Sequence, residues 1–321
     1  MKATTRKFFS LIVPVIIGIA IIYYQFTTLS AEELQKIKTS FLKADYFYIL
    51  LSLFIAFFGF WSRAYRWKFA LNHLGYQTKF HNTFMTVCVS YLVNLTIPRS
   101  GEISRAVLLK KYENVPFDKG FGTIVAERIV DMIIFLLFII IGFLMQFDKL
   151  FQFLLKKNVQ FETLLWLLIS GIIVFVLFVL VWIYAEWKII LKLKQKLAGL
   201  IEGMQSILKM KSKLKYIFHS LLIWLSYLVM FYITIFALPE TSTMPFEVVI
   251  MGFIFGTLAV GFTSGGLGAY PLAIALIFSL FGISNDIGIA FGWLVWLSQT
   301  LLTIFLGLIS YLFLPILNKS K

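Results

Sequence analysis

Apolar runs of about twenty residues, parted by short polar segments, recur along the whole chain. They fall at 8–26, 46–62, 129–147, 163–184, 217–238 and 288–313, each near the length a helix needs to cross the hydrocarbon core of a bilayer. Two further apolar regions do not read as simple spans. Region 82–108 is interrupted at Pro98-Arg-Ser-Gly101, and region 246–281 at Thr263-Ser-Gly-Gly-Leu-Gly268. Proline and clustered glycines break a helix, and the loop charges favour, over a single full crossing, a hairpin that enters and leaves the membrane on one side. The pattern predicts an all-α polytopic membrane protein with about six spanning helices and two re-entrant hairpins.

Composition agrees with the pattern. Of 321 residues, 60% are hydrophobic and only 14% charged, which excludes a soluble globular domain. The formal charge of +14 is no sign of nucleic acid, because the basic residues sit between the apolar runs. With the N-terminus in the cytoplasm and both hairpins re-entrant, 23 of the 29 Lys and Arg residues fall in cytoplasmic segments and 6 in outer ones. That bias follows the positive-inside rule and predicts a multi-pass protein of the plasma (inner) membrane with both termini cytoplasmic. Lys2, Arg6 and Lys7 before the first run, with Thr28 and Ser30 after it, resemble a cleavable signal. The run is longer than a usual signal core, which favours an uncleaved first helix.

The orientation predicts an inverted symmetry within a single integral membrane domain over 1–321. Segment 1–45 holds the first helix and an outer loop, and 46–147 a first half-repeat. Segment 148–216 is a connector, 217–313 a second half-repeat, and 314–321 a cytoplasmic tail. Pro98-Arg-Ser-Gly101 aligns with Gly265-Gly-Leu-Gly268 across the halves. Interrupted apolar segments at matching places in inverted halves point to a transporter-like site at mid-membrane depth. Within the connector, Ile190, Leu193, Leu197, Leu200 and Met204 recur at helical spacing among lysines. Residues 186–215 are therefore expected to form a basic amphipathic helix on the anionic lipids of the cytoplasmic leaflet.

Charge at membrane depth is costly and marks candidate sites. Glu102 and Arg105, three apart after the first break, share a helix face and can pair, and Glu127 and Asp131, four apart, share a face at the start of run 129–147. Arg99 and Arg105 are candidate ligands for a phosphate, and the freed N–H groups near Gly101 a second anion-binding element. The same charges could instead form an internal scaffold without a ligand. Arg63, Arg66 and Lys68 read as interfacial snorkelling residues, and Trp61, Trp67, Trp182 and Trp187 as interface anchors. Ser298, Gln299, Thr300 and Thr303 give the last run a polar stripe, which faces the second hairpin or serves interhelical hydrogen bonding. His73, His81 and His219 lack a ligand spacing, and the single Cys88 reads as a small buried hydrophobe. No metal, cofactor or catalytic residue is assigned.

Asn94…Pro98-Arg-Ser-Gly101-Glu102-x-x-Arg105, then Glu127-Arg128-x-x-Asp131, resembles the transmembrane region of lysylphosphatidylglycerol synthases. The same region occurs in stand-alone flippase-like membrane proteins. Ser264-Gly-Gly-Leu-Gly268 resembles that family's later Pro-Gly-Gly-Leu-Gly motif, and the likeness runs from about residue 40 to 313. The resemblance implies a lipid-translocating bundle. It places headgroup or coupling positions at Arg99, Glu102, Arg105, Glu127, Arg128 and Asp131, with Pro98, Gly101, Gly265, Gly266 and Gly268 shaping the hairpins. Two departures stand out, Ser264 where the family often has proline and Pro271 where an acidic residue often follows.

The full synthases add a soluble aminoacyl-transfer domain. This chain ends eight residues past its last apolar run, so no lysyl-lipid synthesis is expected of it. The leading expectation is a flippase for a phospholipid or a polyprenyl-phosphate-linked lipid. The alternatives are a membrane-embedded enzyme of lipid-linked sugar or phospholipid metabolism, and a non-catalytic partner of one. A homo-oligomer or a lipid-synthase partner fits any of these, and a nucleic-acid partner fits none.

Overall fold

The computed structural model describes residues 2–97, 100–146, 207 and 209–318. The expected run 163–184, most of the amphipathic segment 186–215, Trp182, Trp187, Pro98, Arg99 and residues 319–321 lie outside the described residues. No strand occurs among the described residues, and the chain is a bundle of helices. Four are long and apolar enough to span a membrane: α3 (Tyr46–His73), α6 (Phe117–Met145), α7 (Lys213–Thr234) with the 3₁₀ turn Ile235–Ala237 that continues it, and α11 (Asn285–Ile316). The first apolar run forms α1 (Lys2–Thr28). It joins α2 (Ala31–Lys43) at a bend of 113°, and the pair together is a fifth candidate span.

The outer loop expected after the first helix is thus largely helical. Ser30 and Glu33 form a reciprocal capping box: the Glu33 N–H donates to Ser30 Oγ at 3.2 Å, and the Ser30 N–H donates to Glu33 Oε2 at 2.8 Å. Such a box satisfies two of the orphan donors of a helix start. The same Ser30 that resembles a cleavage position is therefore the N-cap of α2.

α3 and α7 run antiparallel. At one end the Asp45 N–H donates to Ala237 O at 2.8 Å, and towards the other the Arg66 guanidinium lies 5.6 Å from the Tyr216 ring centroid. Between lipid-facing helices there is little hydrophobic gain from association, so close approach of small residues carries the packing. Gly59 lies against Ser226, Gly288 against Ala275, Gly292 against Pro271, and Gly307 against Leu92 and Cys88. Phe231, Phe253, Phe278 and Phe291 fill the space among α7, α11, α9 (Phe246–Val260) and α10 (Ala269–Leu280). A one-turn α8 (Pro239–Ser242) precedes α9.

Both interrupted regions are hairpins. The first pairs α4 (Phe80–Thr96) with α5 (Ser100–Glu113), and the second pairs α9 with α10. At 17, 14, 15 and 12 residues, these helices are only about 18–26 Å long at 1.5 Å per residue, short of the roughly 30 Å of hydrocarbon. The open end of the first hairpin is tied by Asn82 Nδ2, which donates to Glu113 Oε1 at 2.6 Å. Asn82 also exchanges amide hydrogen bonds with Asn318, just past α11. The second hairpin opens where α10 turns into the start of α11. The hairpins therefore open at opposite ends of the bundle and point their tips at each other.

Candidate functional site

The tips touch. Ser264 Oγ donates to Leu95 O at 2.9 Å, the hydrogen bond that joins one break to the other. Trp296 of α11 donates from Nε1 to Gly265 O at 2.8 Å, and Gln25 of α1 from Nε2 to Gly268 O at 2.7 Å. The second tip needs its glycines, since Gly265, Gly266 and Gly268 have φ of 60°, 82° and 70°, a region that side chains avoid. α1 is thus built into the bundle at the second tip. At the first tip, Asn94 reaches across the break and its Oδ1 accepts the Gly101 N–H at 2.7 Å. A side chain at Gly101 would meet Ser90 O and the Asn94 amide, which is why this position of α5 takes glycine.

Beside the first tip, α3, α5 and α6 enclose a network of charge. Residues 63, 66, 67 and 70 share one face of α3, and residues 127 and 131 share one face of α6. Arg63 Nη1 lies 3.0 Å from Asp131 Oδ2, and Arg66 Nη1 lies 2.5 Å from Asp131 Oδ1. Arg66 also reaches Glu127 Oε2 at 3.4 Å and Ser220 Oγ at 3.2 Å. Arg105 of α5 holds Glu127 in bidentate fashion, at 2.8 and 3.1 Å. Its guanidinium lies 3.6 Å from the ring centroid of Trp67, whose Nε1 donates to Thr123 Oγ1 at 2.8 Å. All five charged residues are buried, Arg66 and Glu127 completely. Bidentate geometry and the stacked aromatic face offset the desolvation of such a cluster.

A second, outer pair differs. Arg128 Nη2 lies 2.9 Å from Glu102 Oε1, and their side chains are 43% and 22% exposed. Both border a cavity of about 370 Å³ between the two tips and α11, with Tyr91, Tyr270, Trp296 and Gln299 among its walls. The Tyr91 hydroxyl is 3.1 Å from that of Tyr227, which accepts from Arg63 Nη2 at 3.4 Å. The aromatic wall thereby joins the cavity to the buried network.

The structure corrects several sequence-based assignments. Arg63 and Arg66 are not interfacial residues but two anchors of the buried network, because α3 does not end at 62 and continues to His73. The signal was present in Ala64, Trp67, Ala70 and Leu71, which carry the apolar face on past the arginines and are buried. Trp67 is likewise no interface anchor. Glu102 and Arg105 do not pair with each other, since each finds its partner on α6. The Gly101 N–H is taken by Asn94, and both Nη groups of Arg105 are taken by Glu127, whereas Arg105 Nε has no hydrogen-bond partner among the described residues. Of the polar stripe on α11, Gln299, Thr300 and Thr303 border the cavity, whereas Ser298 donates to Val295 O. Pro98 and Arg99 lie outside the described residues. Cys88 is buried in the cluster around α4.

Chemically, the cavity offers an arginine with access to a ligand, a carboxylate, an amide and aromatic faces. Among the described residues no three His, Cys, Asp or Glu side chains gather as a metal site requires. A family model described as Lysylphosphatidylglycerol synthase TM region matches residues 11–307. The chain is 27% identical over 272 residues to the UPF0104 membrane protein MJ1595 of Methanocaldococcus jannaschii, covering 77% of this chain and 79% of that protein. It is 32% identical over 72 residues to Glycosyltransferase AglD of Haloferax volcanii, covering 22% of this chain and 12% of that protein. No solved structure matches.

Proposed function

The chain belongs to the family of the lysylphosphatidylglycerol synthase transmembrane region, and from that premise we propose that it moves an anionic lipid between leaflets. The cargo is a phospholipid or a polyprenyl-phosphate-linked lipid whose headgroup passes through the cavity between the hairpin tips. One observation carries this reading: the partly exposed Glu102–Arg128 pair faces a cavity bordered by the tips of two hairpins that open at opposite ends of the bundle. Arg128 receives the phosphate in bidentate fashion. Arg63, Arg66, Arg105, Glu127 and Asp131 hold α3, α5 and α6 around it. Arg99 stays a candidate ligand from its place in the sequence.

Access alternates as one hairpin withdraws from the other, in the manner of inverted-repeat transporters. The Ser264–Leu95 hydrogen bond is a small obstacle, since a neutral bond contributes about 1 kcal/mol net. The lysines at 79, 110, 111, 119, 209, 211, 213 and 215 gather at the end where the first hairpin opens. Glu113 and Asp118 lie among them, and the other end carries three lysines, Lys36, Lys38 and Lys43, beside Glu32, Glu33, Asp45, Glu240 and Asp286. This supports a plasma-membrane orientation with the basic end, and both termini, in the cytoplasm. Anionic leaflet lipids bound by 186–215, a second copy of the chain, or a lipid synthase are the partners this reading allows.

Purified protein reconstituted in vesicles that carry fluorescent phospholipids in one leaflet tests the proposal. Wild type equilibrates the probe between leaflets, and distributions equal to those of protein-free vesicles would reject it. The stretch shared with a protein named as a glycosyltransferase favours a second reading, a membrane module that serves an enzyme of lipid-linked sugar metabolism. Sugar transfer to a lipid phosphate by the purified chain, lost in Glu102→Gln, would favour that reading.

A further inference from the structure

The bend of 113° after α1 turns α2 over the start of α11, where Ile37 packs with Ala275, Ile289, Ala290 and Trp293. Glu32, Lys36, Ser40 and Lys43 follow at intervals of four, four and three, so they share one face of α2. That face borders a cavity of about 480 Å³ at the end where the second hairpin opens. Leu238 and Glu240 at α8, and Asp286 and Ile287 of α11, form its other walls. No lining residue is shared with the cavity between the hairpin tips.

Asp286 is 5% exposed, yet among the described residues no hydrogen-bond donor or cation engages its carboxylate. Lys36, across the cavity, is held by Glu32 at 2.9 Å. Asp286 stands in the first turn of α11, whose N-cap Ser284 makes no side-chain cap hydrogen bond, and the positive end of the helix keeps the carboxylate ionised. That field fills none of its lone pairs, roughly four of which can accept hydrogen bonds. A buried carboxylate without donors is costly, so its burial beside a cavity calls for a donor that enters the cavity.

We propose that this cavity binds a small organic molecule with a primary ammonium and an anionic group: the ammonium donates to Asp286, and the anionic group meets Lys43 at the rim. Among the described residues the rim carboxylates do not gather with Asp286 as a metal site requires. The buried Leu238 and Ile287 beside it suit a carbon skeleton over a bare ion. The volume is in the range of small-molecule sites, roughly 300–1,000 Å³. Charge-assisted hydrogen bonds fix the ammonium, and its N–H groups, not its charge alone, satisfy the lone pairs of Asp286. The same chemistry arrives from water as a free zwitterion or from the bilayer as an ethanolamine headgroup. A ligand so placed bridges α2 to α11, whose Trp296 holds the second tip. The site stands apart from lipid transport and keeps its ligand in protein that leaves leaflet distributions unchanged.

Two arms test this on the purified full chain in detergent. In the first, O-phosphoethanolamine, O-phosphocholine and ethanolamine are titrated by equilibrium dialysis. Wild type is expected to bind O-phosphoethanolamine at least about tenfold more tightly than O-phosphocholine, which has no N–H to donate, the scale of one hydrogen bond to a charged group. Asp286→Asn is expected to lose that preference and about tenfold in affinity. Lys43→Gln, on the exposed rim, is expected to weaken O-phosphoethanolamine by about threefold and to leave ethanolamine unchanged. In the second arm, native mass spectrometry counts phosphatidylethanolamine and phosphatidylcholine retained from an equimolar mixture. Binding of the soluble probe places the source in water. Retention of phosphatidylethanolamine that depends on Asp286, without binding of the soluble probe, places it in the bilayer.

No binding in either arm, or no preference for the primary ammonium over the trimethylated form in either, would overturn the proposal. So would an Asp286→Asn variant that keeps the wild-type preference, or a Lys43→Gln variant that weakens ethanolamine as much as O-phosphoethanolamine. Asp286→Asn leaves no partner stranded, so its melting temperature is expected within about 3 °C of wild type. A loss of binding that only follows a loss of stability would overturn the proposal as well.

Discussion

Replacing Arg105 with methionine separates a scaffold from a ligand site. In the structure Arg105 is 2% exposed and donates twice to Glu127, at 2.8 and 3.1 Å, with its flat face on Trp67. Methionine keeps part of the volume but leaves Glu127, itself wholly buried, with only the 3.4 Å contact from Arg66. Removing one partner of a buried pair costs about 3–5 kcal/mol. The lost stacking on Trp67 lies within that range and is not added to it. Arg105→Met is therefore expected to lower stability by about 3–5 kcal/mol. Adding Glu127→Gln removes the stranded charge, so the double variant is expected to lose less than the sum of the singles, by about 2–3 kcal/mol. Reversible unfolding in mixed micelles, followed by tryptophan fluorescence over the four-protein cycle, measures both quantities. A single variant within about 1 kcal/mol of wild type, or an additive cycle, would refute the reasoning and return Arg105 to the candidates for binding a phosphate.

Four further outcomes are expected. Gly292→Val places a Cβ 2.6 Å from the backbone Cα of Pro271, and such overpacking is expected to cost about 1–3 kcal/mol. Gly122→Ala, with open space around it, is expected to be neutral or to stabilise by up to about 1 kcal/mol; thermal melts of both proteins check the contrast. Ser264→Ala removes the hydrogen bond between the tips and is expected to raise deuterium uptake over 94–97 and 263–268, with a loss of about 1 kcal/mol. Cys88, fully buried on α4, is expected to resist maleimide in the folded protein and to react once it is unfolded.

The hairpins were legible in the sequence because a break in an apolar run has a local cause. Proline and clustered glycines stop a helix wherever they occur, and both breaks lie where Pro98 and Gly265 to Gly268 announce them. The pairing of charges was not legible, because it is decided by how helices pack. Glu102 and Arg105 are spaced for each other, yet α6 offers each a partner of opposite sign, Arg105 in the buried interior and Glu102 at the cavity, and tertiary contacts outweigh a pair worth a few tenths of a kcal/mol on a helix surface. Arg63 and Arg66 were misplaced for a related reason. Arginine at the end of an apolar run usually marks the interface, and only the continuing apolar face through Leu71 shows that these two turn inward. Ser264 resembled a mere departure from the family's proline. Its hydroxyl instead makes the contact that joins the tips, which a proline cannot make.

Under the proposed function, transport depends on the outer pair, while stability depends on the inner network. The most direct test is the initial rate of lipid movement in vesicles for Arg128→Gln, measured beside its melting temperature. Arg128→Gln is expected to lose at least about tenfold in rate with a melting temperature within about 2 °C of wild type, as expected for a partly exposed side chain. A rate equal to that of wild type, or a loss of rate that follows an equal loss of stability, would contradict that division.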